Sequence, residues 1–267
     1  MENSGYIGVD KRFAKAGFYG LRKHRQERSL GNFYAKVHAA AAFSNENSVD
    51  FDGANDYCAI GSSGYLGTLS AWFKPDSAIS ASSTVMNIIG FTGIAPYATG
   101  GISFGPIAGA VTNELITIYT GDWIYAYSSA SDTISTEWHH VAVRWSGSDY
   151  EIYLDGVNVK NDDGQYASSS KAKIPISAFN IGRRNSGDKY FAGLIDEVAL
   201  WSTPLSAADV VAIYNSGNPT DLSSYSPAGW WRMGDNDGGS GTTITDQGSG
   251  ENDGTLTNGP AFSTNTP

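Results

Sequence analysis

Trp138-His139-His140-Val141-Ala142-Val143-Arg144-Trp145, followed after a short gap by Tyr150-Glu151-Ile152-Tyr153-Leu154-Asp155-Gly156-Val157, decides the fold. Val141, Val143 and Trp145 alternate with smaller or polar residues, and so do Tyr150, Ile152 and Leu154. A period of two places each set on one face of a strand. Asp155-Gly156 then reads as a two-residue hairpin turn into Val157–Lys160, because such a turn needs positive φ that these residue types tolerate.

The same pattern extends outward in both directions. Val49–Asp52 and Tyr57–Ile60 flank a Gly-Ala-Asn-Asp turn, and Leu69–Lys74 alternates up to Pro75. Val85–Phe91, Gly101–Phe104, Leu115–Tyr119 and Trp123–Tyr127 follow. Beyond the opening stretch come Phe179–Gly182, Tyr190–Trp201, Trp230–Met233, Thr242–Asp246 and Thr255–Thr257. One helix interrupts them. Ser206 and Asp209 have capping-box spacing ahead of Val210, Val211, Ile213 and Tyr214, and Gly217 and Pro219 supply stop signals. No internal repeat is present.

Composition agrees with short strands and tight turns. The 267 residues include 32 Gly, 12% aromatic residues and only 16% charged ones. The length suits one large sandwich with extensions. A single cysteine, Cys58, excludes an intrachain disulfide and reads as a small buried hydrophobe. No apolar run approaches the ~18 residues of a membrane span. The basic N-terminus is not followed by the hydrophobic core of a leader, so the reading predicts a chain that starts at Met1 and is made in a cytoplasm.

Charge is divided unevenly. Residues 1–48 hold eight basic against four acidic residues, net +4, and the remainder holds nine against 23, net −14. Lys11, Arg12, Lys15, Arg22, Lys23, Arg25 and Arg28 define this arm, interleaved with Tyr6, Phe13, Phe18, Tyr19, Phe33 and Tyr34. Such a segment either docks on another surface or is a solvated tail. Interleaved basic and aromatic residues also suit single-stranded nucleic acid, but the acidic body and the absence of a recognition signature disfavour it.

Six pieces in order carry a family resemblance: Ser48–Tyr57, Leu69–Pro75, Trp138–Val143, Tyr153–Val157, Phe191–Trp201 and Leu205–Asp209. Together they resemble the laminin-G-like branch of the concanavalin A-like jelly rolls over roughly residues 48–216. The tail, Ile213–Leu222 with Trp230–Asp235 and Thr245–Leu256, is similar to laminin-G-like proteins of marine bacteriophage virions. The resemblance implies an all-β, antiparallel jelly-roll β-sandwich with one short helix and an extended N-terminal arm. The arm is assigned to residues 1–47 and the sandwich to 48–267, with 219–267 closing the same sandwich.

Catalysis is not expected. A glycosidase needs two carboxylates flanking the scissile bond. On a regular strand Asp196 and Glu197 point to opposite faces, and so do His139 and His140, which makes the two histidines poor joint metal ligands. There is no Gly-x-Ser-x-Gly. Relatives of the fold often carry a structural calcium, for which Asp246, Asn252 and Asp253 are the first candidates, with Asn55-Asp56, Asp162-Asp163 and Asp235–Asp237 as further turns; the same residue types are also ordinary turn formers. Trp123, Tyr125 and Tyr127 share one strand face and form a candidate sugar platform, or else pack inward. Trp72, Trp138, Trp145 and Trp201 occupy core-like positions, and one of Trp230 and Trp231 is expected to be buried. The expectation is a non-enzymatic virion protein, a capsid decoration or cement component anchored by its arm to viral capsid or other virion proteins. The alternative is a carbohydrate-binding module on a tail fibre or free in solution, its partner a host-surface glycan, with no membrane contact.

Overall fold

The computed structural model describes residues 43–61, 64–93, 100–105, 114–120, 123–128, 132–146, 149–159 and 174–267. The chain divides into two units, Met1–Phe43 and Ser44–Pro267. Lys11, Arg12, Lys15, Arg22, Lys23, Arg25 and Arg28 of the arm lie outside the described residues, as do Asp162 and Asp163.

The second unit is an antiparallel jelly-roll sandwich. With strands numbered in chain order, the first sheet runs β13 (Val157–Asn158), β12 (Asp149–Leu154), β11 (His139–Ser146), β4 (Thr68–Pro75), β15 (Ala192–Trp201), β1 (Ser48–Asp52) and β19 (Ala261–Ser263). A short β16 (Gly229–Trp231) also pairs with β15. The second sheet runs β17 (Thr243–Ile244), β18 (Gly254–Thr257), β2 (Tyr57–Ile60), β14 (Ile174–Ile181), β6 (Met86–Gly93), β7 (Gly100–Phe104), β8 (Glu114–Thr120) and β9 (Trp123–Ser128). β3 (Gly64–Leu66) pairs with β14, and β5 (Ile79–Ser80) with β10 (Thr133–Ile134). The C-terminal segment therefore feeds both sheets: β16 and β19 the first, β17 and β18 the second.

The alternation read from the opening stretch fills the space between the sheets. Val141, Val143 and Trp145 join Leu69, Ala71 and Phe73 from β4, facing Phe91, Ile102, Phe104, Phe179 and Ile181. Phe73 packs on Phe104 with ring centroids 4.6 Å apart. Withdrawing each such side chain from water contributes about 1.5–3 kcal/mol.

The outer face of the first sheet is covered as well, and this follows from α1 (Ala207–Tyr214). Ser206 and Asp209 form the expected capping box, and Asn215 closes the helix at φ +47°. Val210 packs on Ala142 and Tyr153, whereas Val211 faces solvent. The covered outer face explains why β4 is buried on both sides.

Two expectations are corrected. Trp230 and Trp231 are both buried, because β16 has cover on each face: Trp231 stacks on Phe179 in the core at 5.4 Å, and Trp230 lies under the outer cover. Asp196 and Glu197 do not point to opposite faces. The register of β15 against β4 shifts between Asp196 and Ala199, Glu197 adopts φ +46°, and Ile195 and Val198 both enter the core. A bulge thus puts two consecutive residues on the outer side.

Candidate functional site

The bulge gathers an acidic cluster on the outer face of the first sheet. Antiparallel register sets His140, Trp72 and Asp196 side by side across β11, β4 and β15. Tyr214 of α1 stacks on this row, 5.8 Å from Trp72 and 6.0 Å from His140. A recess about the size of one water molecule remains, lined by Ser70, Trp72, His140, Glu197, Thr220 and Leu222.

Glu197 is held by two donors. Trp230 Nε1 donates to Oε2 at 2.5 Å, and Arg232 Nε donates to Oε1 at 3.0 Å. The same guanidinium reaches Asp235 Oδ2 at 2.6 Å and the Ser44 carbonyl. Asp235 Oδ1 accepts the backbone N–H groups of Glu46 and Asn47. Asn45 Nδ2 donates to Asp196 Oδ2 at 3.0 Å, while the Glu197 N–H donates to Oδ1 at 2.7 Å. Residues 44–47 are therefore fastened to the sandwich, as part of the unit that begins at Ser44. The Asn45 and Asn47 amides donate to the carboxylates of Asp196 and Asp235, and the Ser44 carbonyl accepts from Arg232.

Burial governs the charge states. It raises the Asp196 carboxyl well above the carboxylate range, and the neighbouring Glu197 adds to the rise. Glu197 is pushed up to about 7 by burial, against the pull of Arg232 and Trp230. Burial lowers His140 to about 4, partly countered by Asp155. Arg232 supplies the positive charge among these carboxylates. Among the described residues no group of three His, Cys, Asp or Glu side chains is arranged to hold a metal ion.

The residues singled out from sequence are distributed elsewhere. Asp246, Asn252 and Asp253 do meet, as a hydrogen-bonded turn: Asp246 Oδ1 accepts the N–H groups of Trp230 and Gly248, Oδ2 that of Asn252, and Asp253 Oδ1 that of Asp246. N–H dipoles converging on a carboxylate favour the turn-former reading over a cation there. Trp123, Tyr125 and Tyr127 lie on β9, the last strand of the second sheet, in register with Thr120, Ile118 and Ile116; Ile116 is buried in the core. The side chains of that trio are outside the described residues. Cys58 is buried as expected, its thiol pushed up by burial. Trp145 lies between the sheets, Trp72 and Trp201 are buried, and Trp138 is half-buried with Nε1 on Asn265. Sequence reading missed the Glu197–Arg232 pair. Its signal was an arginine directly after two buried tryptophans.

The family Laminin_G_3, described as the concanavalin A-like lectin/glucanases superfamily, matches residues 44–211. A candidate carbohydrate-binding protein from Bacteroides ovatus is similar in structure, with 20% identity, a TM-score of 0.58, and coverage of 84% of this chain and 61% of that one. This chain thus spans less than two thirds of that protein. A heptameric SAP-like pentraxin from Limulus polyphemus shows 13% identity and a TM-score of 0.43, over 65% of this chain and 84% of that one. Domain 4 of a GH43 extracellular arabinanase from Geobacillus stearothermophilus, in complex with arabinotriose, shows 19% identity and a TM-score of 0.40, over 58% and 69%. No curated protein matches the chain.

Proposed function

The chain belongs to the concanavalin A-like lectin/glucanases superfamily, and from that premise we propose that it acts as a lectin-like, carbohydrate-binding module and not as a glycosidase. One observation carries the choice between the two halves of that superfamily's name. A glycosidase presents two carboxylates to a sugar held between them. Here the outer-face carboxylates are closed off: Asp196 is 0% and Glu197 2% exposed, one bonded to Asn45 and the other paired with Arg232. A sugar ring has no path to either. The test is the full chain on a broad glycan panel, with calcium and with a chelator. Saturable binding to one glycan class is expected, and a flat response under both conditions sinks the reading.

The division of charge favours a second reading at the level of the particle. The basic arm would anchor the protein to an acidic capsid surface of a bacteriophage, as a decoration or cement component, with the sandwich projecting toward host glycans. The resemblance read in the tail sequence motivates the particle, and the net +4 of residues 1–48 against −14 for the remainder motivates the anchor. Mass spectrometry of density-purified particles would count copies. Full occupancy by a variant lacking residues 1–43 would remove the anchoring role.

A further inference from the structure

Ser135, His139 and Asp155 form one hydrogen-bonded chain. Ser135 Oγ lies 2.9 Å from His139 Nε2, and His139 Nδ1 lies 2.7 Å from Asp155 Oδ2. The other carboxylate oxygen accepts the His140 backbone N–H at 2.8 Å, and the Asp155 N–H donates to the His140 carbonyl at 2.8 Å. Asp155 is thereby held in place from its own backbone and from its side chain. A carboxylate only accepts hydrogen bonds, so Nδ1 carries the imidazole proton toward Asp155 and Nε2 is left to accept from the serine hydroxyl.

The fold explains why these three meet. β11 and β12 are antiparallel neighbours, with Val141 opposite Leu154, so the start of β11 adjoins the end of β12. Asp155 sits at φ +49° in the tight turn that follows. Ser135 lies in the short connection between β10 and β11, four residues before the histidine. His139 packs its ring 5.8 Å from Phe73, which fixes its orientation. The serine is exposed while the His139 side chain is only 15% exposed.

We propose that Ser135 is a nucleophile, with His139 as its general base and Asp155 as the residue that orients the base, acting on esters of short acyl groups. The arrangement supplies nucleophile, base and orienting acid in the roles acyl transfer requires. The chain lacks Gly-x-Ser-x-Gly, but that motif belongs to a strand-to-helix turn of another fold, and the roles define the arrangement. The exposed serine favours a short acyl group such as acetyl over a long chain needing a deep pocket. The backbone N–H of Glu137 donates to Oγ at 3.2 Å and helps hold the hydroxyl in place. In the reaction Oγ bonds to the acyl carbon as the carbon–oxygen bond to the leaving alcohol breaks. The Oγ proton moves to His139 Nε2 and then to the departing alcohol oxygen. Water attacks the acyl-serine, loses its proton by the same route, and releases the carboxylic acid and free Ser135. This activity stands apart from the glycan-binding reading.

The experiment treats the full chain with a fluorophosphonate probe, maps the adduct by peptide mass spectrometry and follows p-nitrophenyl acetate hydrolysis in parallel. A single adduct on Ser135 is expected, absent in Ser135→Ala and formed on the order of a hundredfold more slowly in His139→Gln, with ester hydrolysis falling alongside. Because His139 also packs on Phe73, Asp155→Asn provides a second variant: its side-chain carbonyl still accepts from the His140 N–H but no longer favours the required imidazole tautomer, and the same loss is expected. An unmodified Ser135 in the folded protein, or equal labelling rates in wild type and both variants, overturns the proposal.

Discussion

Arg232 Nε lies 3.0 Å from Glu197 Oε1, and the two side chains are 11% and 2% exposed. The pair joins the bulge of β15 to the residue just past β16, so it ties the C-terminal segment to the centre of the first sheet. Removing one member of such a pair leaves a buried charge uncompensated. Arg232→Met should therefore cost roughly 3–5 kcal/mol near pH 8. Near pH 5.5 Glu197 binds a proton in the folded protein and has less need of its partner, so the cost should drop. Urea unfolding of both proteins at the two pH values measures it; an equal cost at both would remove the ion pair from the explanation.

Glu197 and His140 should tilt the pH dependence of stability in opposite directions. The glutamate's folded value, about 7, lies above its ordinary 4.5, so its contribution is present below pH 4.5 and is lost as pH rises through 7. The histidine's folded value, about 4, lies below 6.5, so its contribution is present above 6.5 and is lost as pH falls through 4. The two slopes overlap and offset each other between these limits. Glu197→Gln should expose a stability that rises with pH there, and His140→Gln one that falls, each by a few kcal/mol. Parallel thermal unfolding series from pH 4 to 8 would reveal this, and identical profiles for the two variants would refute it.

Gly193 should tolerate no side chain. It stands at φ +132°, and a Cβ there would lie 2.2 Å from the Lys74 carbonyl and 2.9 Å from Pro75 Cα. Both neighbours are backbone of the central strand and have no room to yield. Gly193→Ala should destabilise by roughly 3 kcal/mol or more, read from the denaturant midpoint.

Cys58 should be chemically silent in the folded protein. Its side chain is 0% exposed, and its Sγ sits where a Cβ on Gly254 would be 2.5 Å away, so β18 covers it closely. Burial also disfavours the thiolate, the reactive form. A thiol reagent should modify it only as the protein unfolds in urea, along the same curve as tryptophan fluorescence.

The strands were legible because most of the chain keeps a strict period of two. Tyr57–Ile60 is matched residue for residue, and Leu69–Lys74 within one residue at each end. The helix was legible from its cap, since Ser206 and Asp209 act through local backbone geometry alone. The site was harder. The rule that placed Asp196 and Glu197 on opposite faces assumes a regular pleat, and nothing local announces a bulge whose left-handed residue is a glutamate. Glycines mark many of the left-handed positions, but Glu197, like Lys189 and Met233, adopts positive φ without that signal. Both tryptophans of β16 were hidden for a related reason: burial on the second face comes from segments distant in sequence. The Ser135–His139–Asp155 chain was likewise invisible, because the 16 residues from His139 to Asp155 close only through the pairing of β11 with β12.

The pairing of β1 with β19 also sets how the sandwich would carry a load. Ser48 lies opposite Ser263 and Asp50 opposite Ala261, so the chain enters and leaves the sandwich at the same end of one two-strand ladder. A force applied between residue 44 and residue 267 opens that ladder from its end, one rung at a time, instead of shearing all its hydrogen bonds together. The first resistance comes from Ser48 Oγ on the Asn265 carbonyl and Thr266 Oγ1 on the Asn45 carbonyl, side-chain bonds lying ahead of the first backbone rung. Under tension this sandwich would yield gradually at its own seam while the nine-strand sheet behind it stays loaded last.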